Sequence, residues 1–288
     1  MKISVFLLIA FCLLPLAAKS INTKPFVIPE LREWKGANGN FVPTSTTRIV
    51  YSANQPELLR MAERFADDWQ TMFGQRAEIG CGKASAGDII LALQADASLG
   101  SEGYAIRISD RVRLTAPHEK GIYWGTQTLL QIAEQNETQC MPKGTIRDWP
   151  DYGMRGFMLD CGRKFIPLAF LKDYVRILSY YKMNTFQIHL NDNGFKNLFG
   201  QDWNKTYAAF RLESETYPGL TAEDGFYTKR EFIELQRLAD SLCVEIIPEI
   251  DAPAHSLAFA HYKPEIGSAV YGMDHLNLAA PETYGFMD

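Results

Sequence analysis

Apolar and polar residues follow one another along this chain in two successive styles. Residues 21–45 carry Pro25, Pro29 and Pro43 with little periodicity, which predicts an extended lead-in. "TRIVYS" (47–52) then reads as a strand, and "PELLRMAERFADDWQTMF" (56–73) sets apolar residues at helical spacing behind Pro56. "DIILAL" (88–93) predicts a short buried strand. "YAIRISDRVRLTA" (104–116) alternates about Ser109-Asp110 as a hairpin does, and "EKGIYWGTQTLLQIAEQ" (119–135) predicts a second helix. The order β-α-β-β-α predicts a small α+β domain over residues 21–145, with "IRDWPDYGMRG" (146–156) linking it to a second unit.

From Arg155 the rhythm changes. "GFMLD" (156–160) is a continuous apolar run ending in Asp160, and "PLAFLKDYVRILSYY" (167–181) predicts a helix with Pro167 in its first turn. "NTFQIHL" (184–190) repeats the strand, "TKREFIELQRLADSL" (228–242) the helix, and "VEIIPEI" (244–250) the strand again, around a polar insertion at 193–227. Continuous apolar strands separated by helices predict parallel strands covered on both faces. Repetition of that unit over 146–288 points to the first part of a TIM-type (β/α)8 barrel, so the fold class is α/β.

Chemistry in such barrels sits where strands end at their C-terminal side. The three predicted strand ends carry Asp160 with Arg163, then His189 with Asp192, then Glu249, Asp251 and His255. The alternation of Glu249 and Asp251 puts both on one side of the strand. An arginine fork steadied by an aspartate suits paired hydroxyls or a carboxylate, although such a pair also serves a fold. His189 and Asp192 fit proton transfer, metal binding or a strand cap, and His255 can hydrogen-bond a neighbouring carboxylate. His189, Asp192, Asp251 and His255 have the ligand types of a metal hydrolase, but no close H-x-H or H-x-x-x-H spacing fixes a metal site.

Composition narrows the setting. Hydrophobic residues make up 47% and charged residues 22%, the balance of a globular protein. A formal net charge of −5 and the lack of a Lys/Arg stripe argue against nucleic acid as a partner. Lys2, the apolar run Ile3–Leu16 and the small residues Ala17, Ala18 and Ser20 predict a secretory signal over 1–20. That implies export, to a periplasmic, secreted or lumenal location, with no membrane segment after cleavage. Cys81, Cys140, Cys161 and Cys243 remain, too few for a disulfide scaffold. Cys161 and Cys243 read as buried thiols, and Cys81 with Cys140 is the one candidate pair.

In order and on successive predicted strands, "YGMRGFMLDCGRKF", "LKDYVRILSYYKMNTFQIHLNDNGF" and "IIPEIDAPAHS" resemble the family 20 glycoside hydrolases, the β-N-acetylhexosaminidases. "GIYWGTQTLLQ" leading into "IRDWPDYGMRG" is similar to the small α+β domain that precedes their barrel. The resemblance implies that Arg163 binds sugar hydroxyls, that Asp192 and His255 belong to the substrate site, and that Asp160, His189, Glu249 and Asp251 support the rim. It implies a glycan partner with a terminal N-acetylhexosamine and no cofactor. Catalysis in the family is substrate-assisted and retaining: the 2-acetamido oxygen attacks the anomeric carbon, an aspartate steadies the acetamido group, and the adjacent glutamate protonates the leaving oxygen. No Asp-Glu pair follows His255. The resemblance therefore places that pair beyond Asp288, with the barrel cut after about three strands and the 288 residues inactive alone. Gln187, Asn193, Ala254 and Lys164 depart from the family's usual residues. A non-catalytic glycan-binding relative and a metal-dependent barrel hydrolase are the alternative readings.

Overall fold

The computed structural model describes residues 21–288; the predicted secretory signal lies outside them. The first part comprises β1 (Glu33–Phe41), β2 (Arg48–Tyr51), α1 (Leu58–Phe73), β3 (Glu78–Cys81), β4 (Ile89–Leu93), β5 (Tyr104–Ile108), β6 (Val112–Ala116), α2 (Glu119–Glu134) and β7 (Met141–Asp148). Its seven strands form one mixed sheet in the order β1-β7-β5-β6-β4-β2-β3. The hairpin about Ser109-Asp110 is β5–β6, with Ala105 opposite Thr115 and Ile108 opposite Val112.

Two parts of this sheet depart from the sequence reading. The lead-in contains an edge strand, because β1 pairs antiparallel with β7 from Glu33↔Arg147 to Phe41↔Met141. β1 is mostly exposed, so it shows no alternation to read. The predicted link likewise begins as strand, since β7 runs on to Asp148. The candidate disulfide is not formed: Cys81 and Cys140 are free thiols, one exposed and one half-buried. Cys161 is buried as expected, and Cys243 only partly so.

Helix α1 buries Leu58, Met61, Ala62, Phe65, Ala66 and Trp69, one face at three- and four-residue spacing, and stops at Gly74 in the left-handed region. Helix α2 is buried all round from Gly121 to Ala133. It lies between the sheet and the second part of the chain. A Cβ at Gly125 would meet Leu114 Cδ1 at 2.3 Å, so glycine lets the helix seat directly on β6.

The second part contains β8 (Gly156–Asp160), α3 (Leu168–Tyr180), β9 (Thr185–His189), β10 (Asn191–Asn193), β11 (Ala208–Phe210), α4 (Lys229–Ser241), β12 (Glu245–Glu249), α5 (Leu257–Tyr262), β13 (Gly267–Ser268), β14 (Gly272–Leu276) and α6 (Pro281–Met287). Strands β8, β9 and β12 form a parallel sheet in the order β12-β9-β8. Thr228 and Glu231 close a capping box on α4. The 193–227 insertion is not simply polar. Phe210 and Leu220 join Phe259, Ile266, Leu276 and Phe286 in a small apolar cluster that ties it to α5, β14 and α6. Among the described residues, no helix is long and apolar enough to cross a membrane.

The two parts share one continuous apolar core and a polar seam. Tyr123 Oη and Ser179 Oγ lie 2.6 Å apart, and Lys182 Nζ donates to Tyr104 Oη at 2.7 Å. Glu102 accepts from Arg155 Nη2 at 2.5 Å, from Trp124 Nε1 at 3.2 Å and from Asn184 Nδ2 at 3.3 Å. Glu102→Ala removes the carboxylate that pairs with a largely buried guanidinium, which keeps only the carbonyls of Lys182 and Tyr152, and strands an indole N–H at the seam. Stability measured by urea unfolding is expected to fall by about 3–5 kcal/mol, as for other broken buried pairs. A change under 1 kcal/mol contradicts this role.

Candidate functional site

The parallel register aligns the strand ends. Asp160 pairs with His189 across β8–β9, and His189 pairs with Glu249 across β9–β12, so all three stand in one row at the C-terminal rim. Arg163 comes back over the row from the turn after β8. Its backbone N–H donates to Asp160 Oδ1 at 3.0 Å and its Nη1 to Asp160 Oδ2 at 2.6 Å. Gly162 makes this approach feasible: a Cβ there would meet the carbonyl carbon of Asn191 and the amide nitrogen of Asp192, each at 2.7 Å.

Asp192, one residue beyond the buried Asn191, is the hub. Its carboxylate is 1% exposed and meets three hydrogen-bond donors and one guanidinium. Asn193 N–H and His255 Nδ1 reach Oδ1 at 2.7 and 2.9 Å, and His189 Nε2 and Arg163 Nη2 reach Oδ2 at 2.8 and 2.7 Å. Burial works against the charge on Asp192, but the Asn193 amide and the two imidazoles outweigh it and lower its pKa. Because His255 Nδ1 must carry its proton to donate to Asp192, Arg163 Nη2, 3.5 Å from that nitrogen, is a neighbour and not a partner.

His189 sits beneath, 8% exposed, with Nε2 on Asp192 and Nδ1 3.2 Å from Glu249 Oε1. Burial alone would depress its pKa, yet the Asp192 hydrogen bond and the Glu249 charge raise it above the ordinary value. Gln187 Nε2 holds the other Glu249 oxygen at 2.6 Å. Asp251 lies beside His255, 3.9 Å from Nε2, and with Glu249 faces His189 as the alternation predicted.

All seven residues singled out in the sequence thus meet on one rim. Arg163 and His255 are its open members, with side chains 41% and 43% exposed. Sequence reasoning missed Asn191 and Arg211, and marked Gln187 only as a departure from the family's usual residue. The Arg211 side chain is wholly buried and donates to the carbonyls of Cys161 at 2.8 Å and Gly162 at 3.0 Å and to Asp224 Oδ1 at 2.6 Å, binding the insertion to the turn that bears Arg163. A lone arginine in the apolar "AAFRLE" was the available signal, since a buried charge needs partners.

Metal-ligand atoms of Asp160, His189 and Asp192 lie within 4.8 Å of one another, as do those of His189, Glu249 and Asp251. His189 is common to both trios, and each of its ring nitrogens already faces a carboxylate. Arg163 already takes the place of a cation between Asp160 and Asp192.

Comparison with known proteins fits this geometry. The profile "Glycosyl hydrolase family 20, domain 2" matches residues 24–149, and "Glycosyl hydrolase family 20, catalytic domain" matches residues 152–283. The chain belongs to glycosyl hydrolase family 20. A β-hexosaminidase of Porphyromonas gingivalis is 29% identical over 289 residues, covering 88% of this chain and 35% of that protein. A β-hexosaminidase of Vibrio furnissii is 30% identical over 236 residues, covering 70% of this chain and 36% of that protein. The chain therefore spans about a third of the length of these family 20 relatives. The structure of the family 20 β-N-acetylhexosaminidase from Streptomyces coelicolor superposes with a TM-score of 0.77 at 26% identity, over 93% of this chain and 56% of that one. A Streptomyces plicatus N-acetyl-β-hexosaminidase, solved with Thio-NAglucal, gives 0.75 at 25% identity over the same shares.

Asp192→Asn removes the charge that His189 and Arg163 share. The His189 pKa, read by NMR titration, is expected to fall from its raised value, since Glu249 alone then opposes burial. A raised folded pKa adds stability below 6.5 that is lost as pH rises through the folded value, so the variant also loses that pH dependence. Stability falls by about 2–3 kcal/mol, less than for a fully buried pair because Arg163 is partly solvated. An unmoved His189 titration contradicts the hub.

Proposed function

We propose that this rim binds the terminal N-acetylhexosamine of a glycan, as part of a retaining, substrate-assisted β-N-acetylhexosaminidase. The observation that carries the proposal is the Arg163 guanidinium. Asp160 and Asp192 fix it from one side, and its open side faces solvent over the strand ends. Among the described residues, no partner engages Nε. That donor and the outward hydrogens of the terminal nitrogens form a planar fork suited to two adjacent hydroxyls. His255 presents Nε2 beside it, and the Asp192 contact on Nδ1 sets which nitrogen carries the proton.

The carboxylates on this rim serve as acceptors. Asp160 and Asp192 answer Arg163, and Glu249 answers Gln187 and His189. General-acid catalysis calls for a carboxyl group kept protonated by its surroundings, poised to donate to the leaving oxygen. The rim supplies sugar recognition, and the proton donor and the group steadying the acetamido have to come from other residues. These 288 residues are accordingly expected to bind N-acetylglucosamine without hydrolysing its β-glycosides.

Calorimetric titration of the chain with N-acetylglucosamine tests the reading. Arg163→Lys keeps the charge but loses the fork, and affinity is expected to fall by ~10-fold, or ~1.4 kcal/mol. Equal affinity in a folded Arg163→Lys chain removes Arg163 from the sugar site. Hydrolysis by the 288 residues alone removes the division of labour.

A further inference from the structure

The loop that carries Asp251 and His255 is gripped by one buried side chain, Asn191, which is 0% exposed. Its Nδ2 donates to the Asp251 carbonyl at 2.9 Å and to the His255 carbonyl at 2.9 Å, and its Oδ1 accepts the Asp251 N–H at 2.8 Å. The amide thus spends both donors and its acceptor on the two ends of one five-residue loop. The next residue, Asp192, takes the His255 side chain at Nδ1. Consecutive positions of β10 therefore hold the backbone and the imidazole of His255.

The grip matters because His255 is held in an uncommon backbone state. Its φ of 55° lies in the left-handed region, where a residue with a side chain stays only if its surroundings keep it there. The rest of the loop has other anchors. Ser256 N–H donates to the Asp274 carbonyl at 2.9 Å, and Leu276 N–H donates to the Pro253 carbonyl at 2.7 Å. Those bonds tie the loop to β14. They do not tie it to the strand that bears Asp192.

We infer that Asn191 is a positioning residue of the sugar site: it fixes the 251–255 loop against β10 so that His255 stays on Asp192 beside Arg163. The consequence for sugar binding rests on the function proposed above, whereas the consequence for His255 does not. Leucine at 191 would fill the space but leave the His255 carbonyl without the amide's donor and the Asp251 N–H without its acceptor, so shape alone cannot substitute for the amide.

The test is NMR of the 288-residue chain labelled with ¹⁵N in its histidine rings, together with titration by N-acetylglucosamine. In the wild type, the His255 signals are expected to show Nδ1 protonated and hydrogen-bonded. In Asn191→Ala they shift toward the Nε2–H form that free histidine prefers, and sugar affinity falls by ~10-fold, or ~1.4 kcal/mol. Asn191→Ser keeps one donor, which cannot span both carbonyls, and gives an intermediate shift. His189 makes no hydrogen bond to the loop, so a retained hydrogen-bonded Nε2 signal from His189 reports an intact rim, a result that general unfolding does not give. A His255 that keeps its Nδ1–H signal in both variants overturns the inference. A shifted His255 with unchanged affinity overturns its link to sugar binding. A wild type that binds no sugar while His255 still shifts on substitution sinks the functional reading and leaves the positioning role standing.

Discussion

One buried carboxylate organises this site. Asp192 accepts three hydrogen bonds, from its own neighbour's amide and from two imidazoles, and its Oδ2 also pairs with a guanidinium. A lone carboxylate at 1% exposure would be driven to protonate, and a lone guanidinium or imidazolium beside it would be costly. Each charge is tolerable because the others are present. The groups also arrive from three different strand ends, so the same carboxylate fixes the position of one loop relative to the next. Charge balance and geometry are here one constraint.

The fold serves that constraint by register. Parallel pairing puts Asp160, His189 and Glu249 level across β8, β9 and β12, with the apolar side chains of Phe186 and Ile188 buried in the core between the polar positions of β9. Turns then lift Arg163 and His255 above the row into solvent. Arg211, Asn191 and Gly162 are the parts that make this possible: a buried clamp under the first turn, a staple on the third and a gap where the first passes over the second. The open residues are precise because closed ones lock their backbones.

How much of this the sequence revealed depended on whether a residue's partners were near it in the pattern. Helices α1 to α4 and the parallel strands announce themselves by period, and the seven rim residues by standing polar at the ends of apolar runs. The edge strand β1 has almost no buried face and so no period, and β3 is a four-residue strand at the opposite edge. Asn191 and Arg211 take their meaning from backbone carbonyls as far as 64 residues away in sequence, which no local pattern displays. The Cys81–Cys140 pairing failed for the related reason that a cysteine count carries no distance.

The central claim is that Asp192 gathers Arg163 and His255 to meet a sugar. It is tested most directly by following the Arg163 guanidinium and His255 imidazole ¹⁵N signals while N-acetylglucosamine is added to the chain. Saturating shifts at Arg163 Nε and His255 Nε2, with His189 unmoved beneath them, are the predicted result. Saturable binding that leaves both signals in place, or that shifts residues away from this rim, contradicts the account.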